Sequence, residues 1–269
     1  MGLRINSNTP ALFAQRQTGL LTGRINRGLQ GLASGLRINR AADDAAGLAI
    51  SERFRMQVRQ YTQEVNNLQT GVNAIQTAEG GLGAQQDAVG RIRELAVQAA
   101  NGTLTDEQRD AINQEAQQLL EQIGETAENT DFNGTQLLNG TNETIELGTE
   151  AGNEITINAS TPADLGLEGL DLSTAEGAAA AIEQLDTANE QINENRASLG
   201  AQQNRLNQAI EVREGTAVNL QEAESRIRDL DIARATIEQS RNQVLLQSSL
   251  SALVQGNVIP QSAARLLGS

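Results

Sequence analysis

The sequence contains no cysteine and no histidine, and all 20 of its basic residues are arginine. These absences exclude disulfide bonds, thiolate nucleophiles, histidine general bases and the usual zinc and copper ligand sets. Without lysine there is also no Schiff-base nucleophile and no phosphate-loop lysine. We therefore expect a protein that is not an enzyme and that binds no cofactor or metal, since only carboxylate chemistry would remain.

Aromatic residues are almost missing as well, at 1% of the 269 residues. A thick globular core is therefore not expected. Hydrophobic residues make up 38% of the chain and are mostly Ala, Leu, Ile and Val, which is typical of long helices that bury narrow stripes. No run of 18 apolar residues and no secretory-signal core occurs, so the residues alone predict no membrane insertion and a cytoplasmic protein.

The net charge of −14 is unevenly distributed along the chain. Residues 1–59 carry a net +6 and residues 225–269 a net +2, whereas residues 60–224 carry a net −22. The acidic middle is typical of a solvated surface. It also argues against nucleic acid as a partner, because most of the chain would repel phosphates.

Apolar residues at helical spacing predict a first helix over about residues 10–33. They recur every three or four residues on one stripe, at Leu21, Ile25, Leu29 and Leu32. The segment that follows, which we call the joint, separates this helix from the next. Carboxylates favour a helix N-terminus, so its two aspartates predict that a helix begins there. The joint is defined by Gly35, Arg37, Asn39, Asp43 and Asp44.

The middle of the chain predicts two long helices that run in opposite directions. Heptad spacing extends over residues 46–100 and returns over about residues 178–224. A capping box at Thr105–Gln108 begins a shorter helix that ends near residue 129. Alternating apolar residues predict a β-hairpin at about 143–159. The fold class is thus mainly α, with long antiparallel coiled-coil helical rods and one small β-hairpin.

A last helix is predicted to carry Leu246, Leu250 and Leu253 and to end near Gly256 and Pro260. These leucines and the four apolar residues of the first helix named above are expected to form the polymerisation core, in coiled-coil contacts within and between subunits. We expect two domains, with paired terminal helices in 1–44 and 225–269 and the helical rod with its hairpin in 45–224. When two helices with one apolar stripe each pack together, part of their apolar surface stays exposed to solvent. An assembly would bury that surface between subunits. From the residues alone the chain is therefore a self-assembling helical subunit or a soluble coiled-coil adaptor.

One long motif carries a family resemblance. Residues 32–54 read LxSGLRINxAxDDAAGxAIxxRF, which closely resembles the amino-terminal signature of bacterial flagellin. The resemblance continues at Ile92–Gln98, Asp131–Gly134 and Leu199–Arg205. It implies a structural subunit that leaves the cell through the flagellar type III export channel and polymerises through its terminal helices into the extracellular flagellar filament. A hook–filament junction protein, which shares weaker versions of these motifs, is the nearest alternative.

The resemblance also implies partners. These are further copies of the chain, an export chaperone, the cap and hook-junction proteins, and the animal Toll-like receptor for flagellin. Arg91, Leu95 and Glu115 match the family's receptor contacts and are expected to face outward, although Gly90 stands where enteric-type flagellins have Gln. The alternative for these residues is a solvated helix face with i,i+3 ion pairs.

Gly200 is a candidate conformational switch, because it lies inside the best heptad pattern. A glycine costs about 1 kcal/mol against alanine in a helix interior. We expect it either to allow close approach of the neighbouring rod or to let two packings lie near in energy. A locally weak helix without a purpose is the alternative.

Overall fold

A computed structural model describes residues 8–141, 144–148 and 154–267, with side chains described as far as residue 258. The described part contains five helices and four short strands. The prediction of a mainly α fold with a small β-hairpin is confirmed. In chain order the elements are α1 (Thr9–Ser34), α2 (Ala45–Ala99), α3 (Asp106–Asn129), β1 (Asp131–Phe132), β2 (Thr135–Gln136), β3 (Thr144–Glu146), β4 (Glu154–Thr156), α4 (Ala175–Arg228) and α5 (Ile232–Leu267).

Local sequence explains where most of the helices begin. Asn8 caps α1, because its side-chain oxygen accepts a hydrogen bond from the backbone N–H of Ala11. The predicted capping box of α3 is confirmed, since Thr105 and Gln108 bond each other's backbone N–H groups. These contacts satisfy N–H groups that a helix start leaves without intrahelical partners.

The predicted end of the last helix is wrong. α5 continues past Gly256 and Pro260 to Leu267. Gly256 packs against Ala11 of α1 and accepts a hydrogen bond from Asn8, so the pairing of the two terminal helices extends to this glycine. No described helix has a stretch long and apolar enough to span a bilayer.

By packing, the chain divides into two units within α2 and α4. One, here called the terminal unit, consists of residues 1–58 and 218–269. The other, the central unit, consists of residues 59–217.

Antiparallel packing of α2 against α4 organises the central unit, as the heptad pattern predicts. Side-chain bonds join the two helices in antiparallel order. Glu64 pairs with Arg213 at 2.8 Å, while Arg93 pairs with Asp186 at 2.6 Å much further along α2. α3 packs into the same core. A loop that the sequence analysis left without structure adds the buried leucines Leu165, Leu167, Leu170 and Leu172.

Two antiparallel hairpins lie in the central unit. In the predicted hairpin, Ile145 of β3 pairs with Ile155 of β4. Gln202 of α4 extends this hairpin, because its amide donates to the carbonyl of Thr156 and accepts from the N–H of the same residue. The other hairpin, β1–β2, was not predicted, since its strands are only two residues long.

Candidate assembly surface

α1 and α5 pack antiparallel and form the core of the terminal unit. Gly28 of α1 lies against Gln239 of α5, and Ala11 lies against Gly256. At the same end, the Nδ2 of Asn8 donates a 2.9 Å hydrogen bond to the carbonyl of Gly256. The start of one helix therefore meets the end of the other.

The packed positions of both helices follow a heptad pattern, and we call this contact the terminal seam. Buried or half-buried residues recur every three or four positions, as coiled-coil packing requires. Most of them are small or polar, so the seam buries little apolar surface. They are Ala11, Ala14, Thr18, Leu21, Ile25, Gly28 and Leu32 on α1, and Ala235, Gln239, Asn242, Leu246, Ser249, Leu253 and Gly256 on α5.

Five of the seven residues predicted for the polymerisation core lie on this seam. Leu21 is buried, and Ile25, Leu32, Leu246 and Leu253 are half-buried. Leu29 and Leu250 do not lie on the seam within the chain, because they are 50% and 45% exposed. Adjacent helical residues point about 100° apart, and the preceding residues, Gly28 and Ser249, occupy the seam instead. Contact of Leu29 and Leu250 with another copy stays a prediction.

Outside the seam, the two helices carry a large exposed apolar surface. Eleven large apolar side chains in their described parts are between 41% and 72% exposed. On α5 they occupy more than one side of the helix. The set comprises Leu12, Phe13, Leu20 and Leu29 on α1, and Ile232, Ile237, Val244, Leu245, Leu250, Val254 and Val258 on α5.

The joint is held by backbone hydrogen bonds to the end of α4 and the start of α5. Gly35 ends α1 in the left-handed region at φ 71°, and its N–H donates to the carbonyl of Gly31. Its own carbonyl accepts from the N–H of Leu230 at 2.9 Å. The N–H of Arg37 donates to the carbonyl of Arg228 at 2.7 Å. These two hydrogen bonds form an isolated antiparallel bridge between Leu36 and Asp229, which fixes the chain as it leaves α1.

The two aspartates of the joint have different structural roles. The Oδ2 of Asp43 accepts backbone N–H bonds from Asn39 and Arg40 and so closes a turn. Asp44 sits at the start of α2, where its Oδ1 accepts a 2.8 Å bond from the N–H of Gly47. A Cβ on Gly47 would lie 2.4 Å from Oδ2 of Asp44, so the motif needs glycine at this position.

An ion-pair cluster that the sequence analysis missed joins α2 to the end of α4. The Arg228 guanidinium bonds Oε1 of Glu52 at 2.7 Å, and Arg55 bonds the same oxygen at 3.0 Å. The hydrogen bond from Arg228 is the main reason why the pKa of Glu52 lies below its ordinary value. No spacing in the sequence shows this cluster, because Glu52 and Arg228 are 176 residues apart.

The predicted receptor face is only partly exposed. Arg91 is exposed and bonds Glu94 at 2.9 Å and Glu115 at 3.0 Å, and these bonds raise its pKa. The expectation that Leu95 faces outward is wrong, because it is only 2% exposed. It follows Ile92 by three residues and therefore shares the buried stripe of α2.

Close approach does not explain Gly200. The residue lies within α4, and a Cβ placed on it would meet nothing within 4 Å. The expectation that glycine lets a neighbouring helix come near is therefore wrong. A role in switching between two packings stays a prediction.

No group of residues suited to hold a metal ion is found among the described residues.

Comparison with known proteins is consistent with this architecture. Residues 5–143 match the bacterial flagellin N-terminal helical region, and residues 182–267 match the bacterial flagellin C-terminal helical region. The chain is 42% identical to a flagellin of Halalkalibacterium halodurans, over 98% of this chain and 99% of the relative. It is 40% identical to flagellin FlaB1 of Treponema pallidum over the same shares. A crystal structure of Bacillus cereus flagellin is 32% identical and covers 55% of this chain and 88% of its own, with a TM-score of 0.49.

The helical fold, the two family matches and the similarity to the flagellins of Halalkalibacterium halodurans and Treponema pallidum define a class, the structural subunits of filaments. Related chains include a flagellar filament core protein of Treponema maltophilum, which is 38% identical over 98% of this chain. The chain belongs to the bacterial flagellin family. A hook-junction protein and a soluble adaptor are not favoured, because the matches to flagellins extend over nearly the whole chain.

Proposed function

We propose that this flagellin assembles through its terminal helices, with neighbouring copies burying each other's exposed apolar side chains on α1 and α5. The supporting observation is the set of eleven exposed apolar side chains beside a seam built mostly from small and polar residues. Isolated exposed apolar residues are common on soluble proteins, whereas large exposed apolar surfaces usually mark interaction sites.

The size of this surface fits an assembly interface. Burying a large apolar side chain fully is worth about 1.5–3 kcal/mol, so eleven that are roughly half exposed could contribute on the order of 10 kcal/mol per copy. Association costs an estimated 4–15 kcal/mol in lost freedom and ordering. The free energy gained by burying these side chains is therefore comparable to the cost of association. Removal of either helix would leave too little of this free energy to offset that cost.

Export and location are part of the same proposal. The protein leaves the cell through the flagellar type III channel and becomes part of the extracellular filament that serves motility. An export chaperone covers α5 before export, and cap and hook-junction proteins contact the subunit during assembly. The exposed apolar side chains of α5 support the proposal of a chaperone, because left uncovered they would promote association of subunits before export. Arg91 and Glu115, which are exposed and paired, remain candidates for contact with the animal Toll-like receptor.

Polymerisation of the purified full-length chain tests the proposal. Monomer is exposed to rising salt, and the polymer is collected by sedimentation and viewed by electron microscopy. Filaments from the full chain, but not from chains that lack 1–33 or 230–269, are the expected result. Filaments from either truncated chain would show that assembly does not depend on the terminal helices. Hydrogen exchange in dilute monomer provides a second readout, because strong protection of residues 230–255 would contradict an α5 that needs partners for order.

A further inference from the structure

Gln239 is a buried amide without a partner. It occupies a seam position of α5 and is only 6% exposed. Neither its Oε1 nor its Nε2 has a hydrogen-bond partner. Buried polar side chains nearly always have hydrogen-bond partners. An amide with two unpaired atoms therefore indicates that a group outside this chain forms a hydrogen bond with it when the protein functions.

The amide borders an open cleft of about 400 Å³ in the terminal unit. The cleft lies between α1, the joint and the start of α5. Gly28 forms part of its wall, and a Cβ at that position would lie 2.5 Å from the Oε1 of Gln239. The lining also presents three guanidinium groups, from Arg24, Arg27 and Arg37, and the amide of Asn242.

The charges of the cleft favour an anionic ligand. Arg24 and Arg27 are exposed, and neither forms an ion pair with a carboxylate in the described part of the chain. Two acidic residues, Asp43 and Glu238, also line the cleft. Neither carboxylate forms an ion pair with an arginine of the cleft in the described part of the chain, and Asp43 accepts two backbone N–H bonds within the joint. Guanidinium and amide N–H groups together are suited to a carboxylate.

We propose that this cleft binds a carboxylate side chain from a neighbouring copy of the chain. The carboxylate accepts hydrogen bonds from the Nε2 of Gln239 and from the arginines, so this Nε2 gains an acceptor only on assembly. Charge complementarity favours a second copy as the source, because residues 60–224 carry a net −22 and residues 1–59 a net +6. This inference rests on the proposed assembly through the terminal helices and adds a polar, orienting contact to the apolar one.

Neutralising the two free arginines tests the contact. Arg24→Gln with Arg27→Gln is compared with Arg16→Gln, an exposed arginine of the same helix that lies outside the cleft. We expect the critical concentration for polymerisation to rise at least about tenfold for the double variant, as for loss of a buried charge partner, and to stay unchanged for Arg16→Gln. Equal behaviour of the two would overturn the proposal. Failure of the unmodified chain to polymerise would instead count against the proposed function, and so against both.

Gln239→Leu separates a binding role from a structural one. Leucine removes two unpaired polar atoms from a buried site, so the variant monomer should unfold at a higher temperature. The same change removes the donor for the incoming carboxylate, so the critical concentration should rise as well. A residue that only packs the seam would improve both properties together, and that outcome would overturn the proposal.

Cross-linking identifies the occupant of the cleft. Because the chain has no cysteine, Gln30→Cys places a single thiol on an exposed position of the lining, where a maleimide-benzophenone can be attached. Chains that carry the benzophenone and have natural ¹⁴N are mixed, at a low fraction, with ¹⁵N wild-type chains that lack the cross-linker. The mixture is then polymerised and irradiated. Mass spectrometry should then find links from the label to acidic segments of ¹⁵N chains. Links only within the labelled chain, or none, would show that no neighbour enters the cleft and that any arginine effect comes from a free anion.

Discussion

Three exposed valines of α5 allow a matched test of the apolar assembly surface. Val244, Val254 and Val258 are between 51% and 65% exposed. Changing each to alanine removes two methyl carbons, worth about 0.8 kcal/mol per carbon when fully buried. With roughly half to two-thirds of that surface available, each substitution should weaken assembly by about 1 kcal/mol, and the triple variant by about 3 kcal/mol.

The chain offers a control set of the same chemistry. Val97 of α2 and Val212 and Val218 of α4 are also exposed, between 52% and 57%. Alanine is a slightly better helix former than valine, and that gain is common to both sets. The monomers of both triple variants should therefore unfold at similar or slightly higher temperatures than the wild type, because none of the six side chains is buried.

The assay is the concentration of monomer that remains after polymerisation reaches equilibrium. A loss of about 3 kcal/mol corresponds to an increase of roughly a hundredfold, since each 1.4 kcal/mol is a factor of ten. We expect this increase for the α5 set and less than about tenfold for the control set. Equal increases would refute the reasoning, because exposed apolar surface would then act without regard to its position. A larger increase for the control set would place the interface on the long helices.

Three further substitutions test individual contacts. Gly47→Ala should lower the midpoint of thermal unfolding, because its Cβ would enter a filled space, whereas Gly90→Ala, where nothing lies within 4 Å, should raise it slightly by helix propensity. The pKa of Glu52 is lowered, so its contribution to stability is present above the ordinary glutamate pKa and is lost as pH falls through the folded value; Glu52→Gln should make acid unfolding less steep. Gly200→Ala should give straighter filaments of unchanged length, and unaltered helical pitch over a range of pH and salt would contradict the switch role.

The sequence predicts the helices of the central unit well, because their apolar stripes are long and are buried within one chain. Heptad spacing over tens of residues leaves little choice of which face is packed. The same method misses the β1–β2 hairpin and the buried leucines of residues 165–172, because short segments carry too little periodicity. These leucines are buried by tertiary contacts that only the fold supplies.

The terminal helices show a different limit of sequence reasoning. A pattern of apolar residues indicates that a face is buried, and it does not tell whether the partner lies in the same chain. Gln239 and Asn242 occupy the seam within the chain, while the larger Ile237 and Val244 point away from it. Hydrophobicity alone therefore does not separate the seam leucines Leu246 and Leu253 from the side chains proposed to face other copies. The small and polar residues at the same heptad positions were the signal that could have separated them.

Whether an apolar residue is buried within the chain or available to a partner also decides how a receptor experiment with Leu95 is interpreted. Because the side chain is buried in the core, Leu95→Ala should lower the free energy of unfolding by about 2–5 kcal/mol. Arg91→Ala removes only exposed ion pairs, so its free energy of unfolding should stay close to that of the wild type. Denaturant unfolding measures both values, and a loss below about 1 kcal/mol for Leu95→Ala would show that Leu95 is not a core residue. A weaker receptor response from that variant would then reflect local loosening of α2, whereas the same response from the stable Arg91→Ala protein would indicate a lost contact.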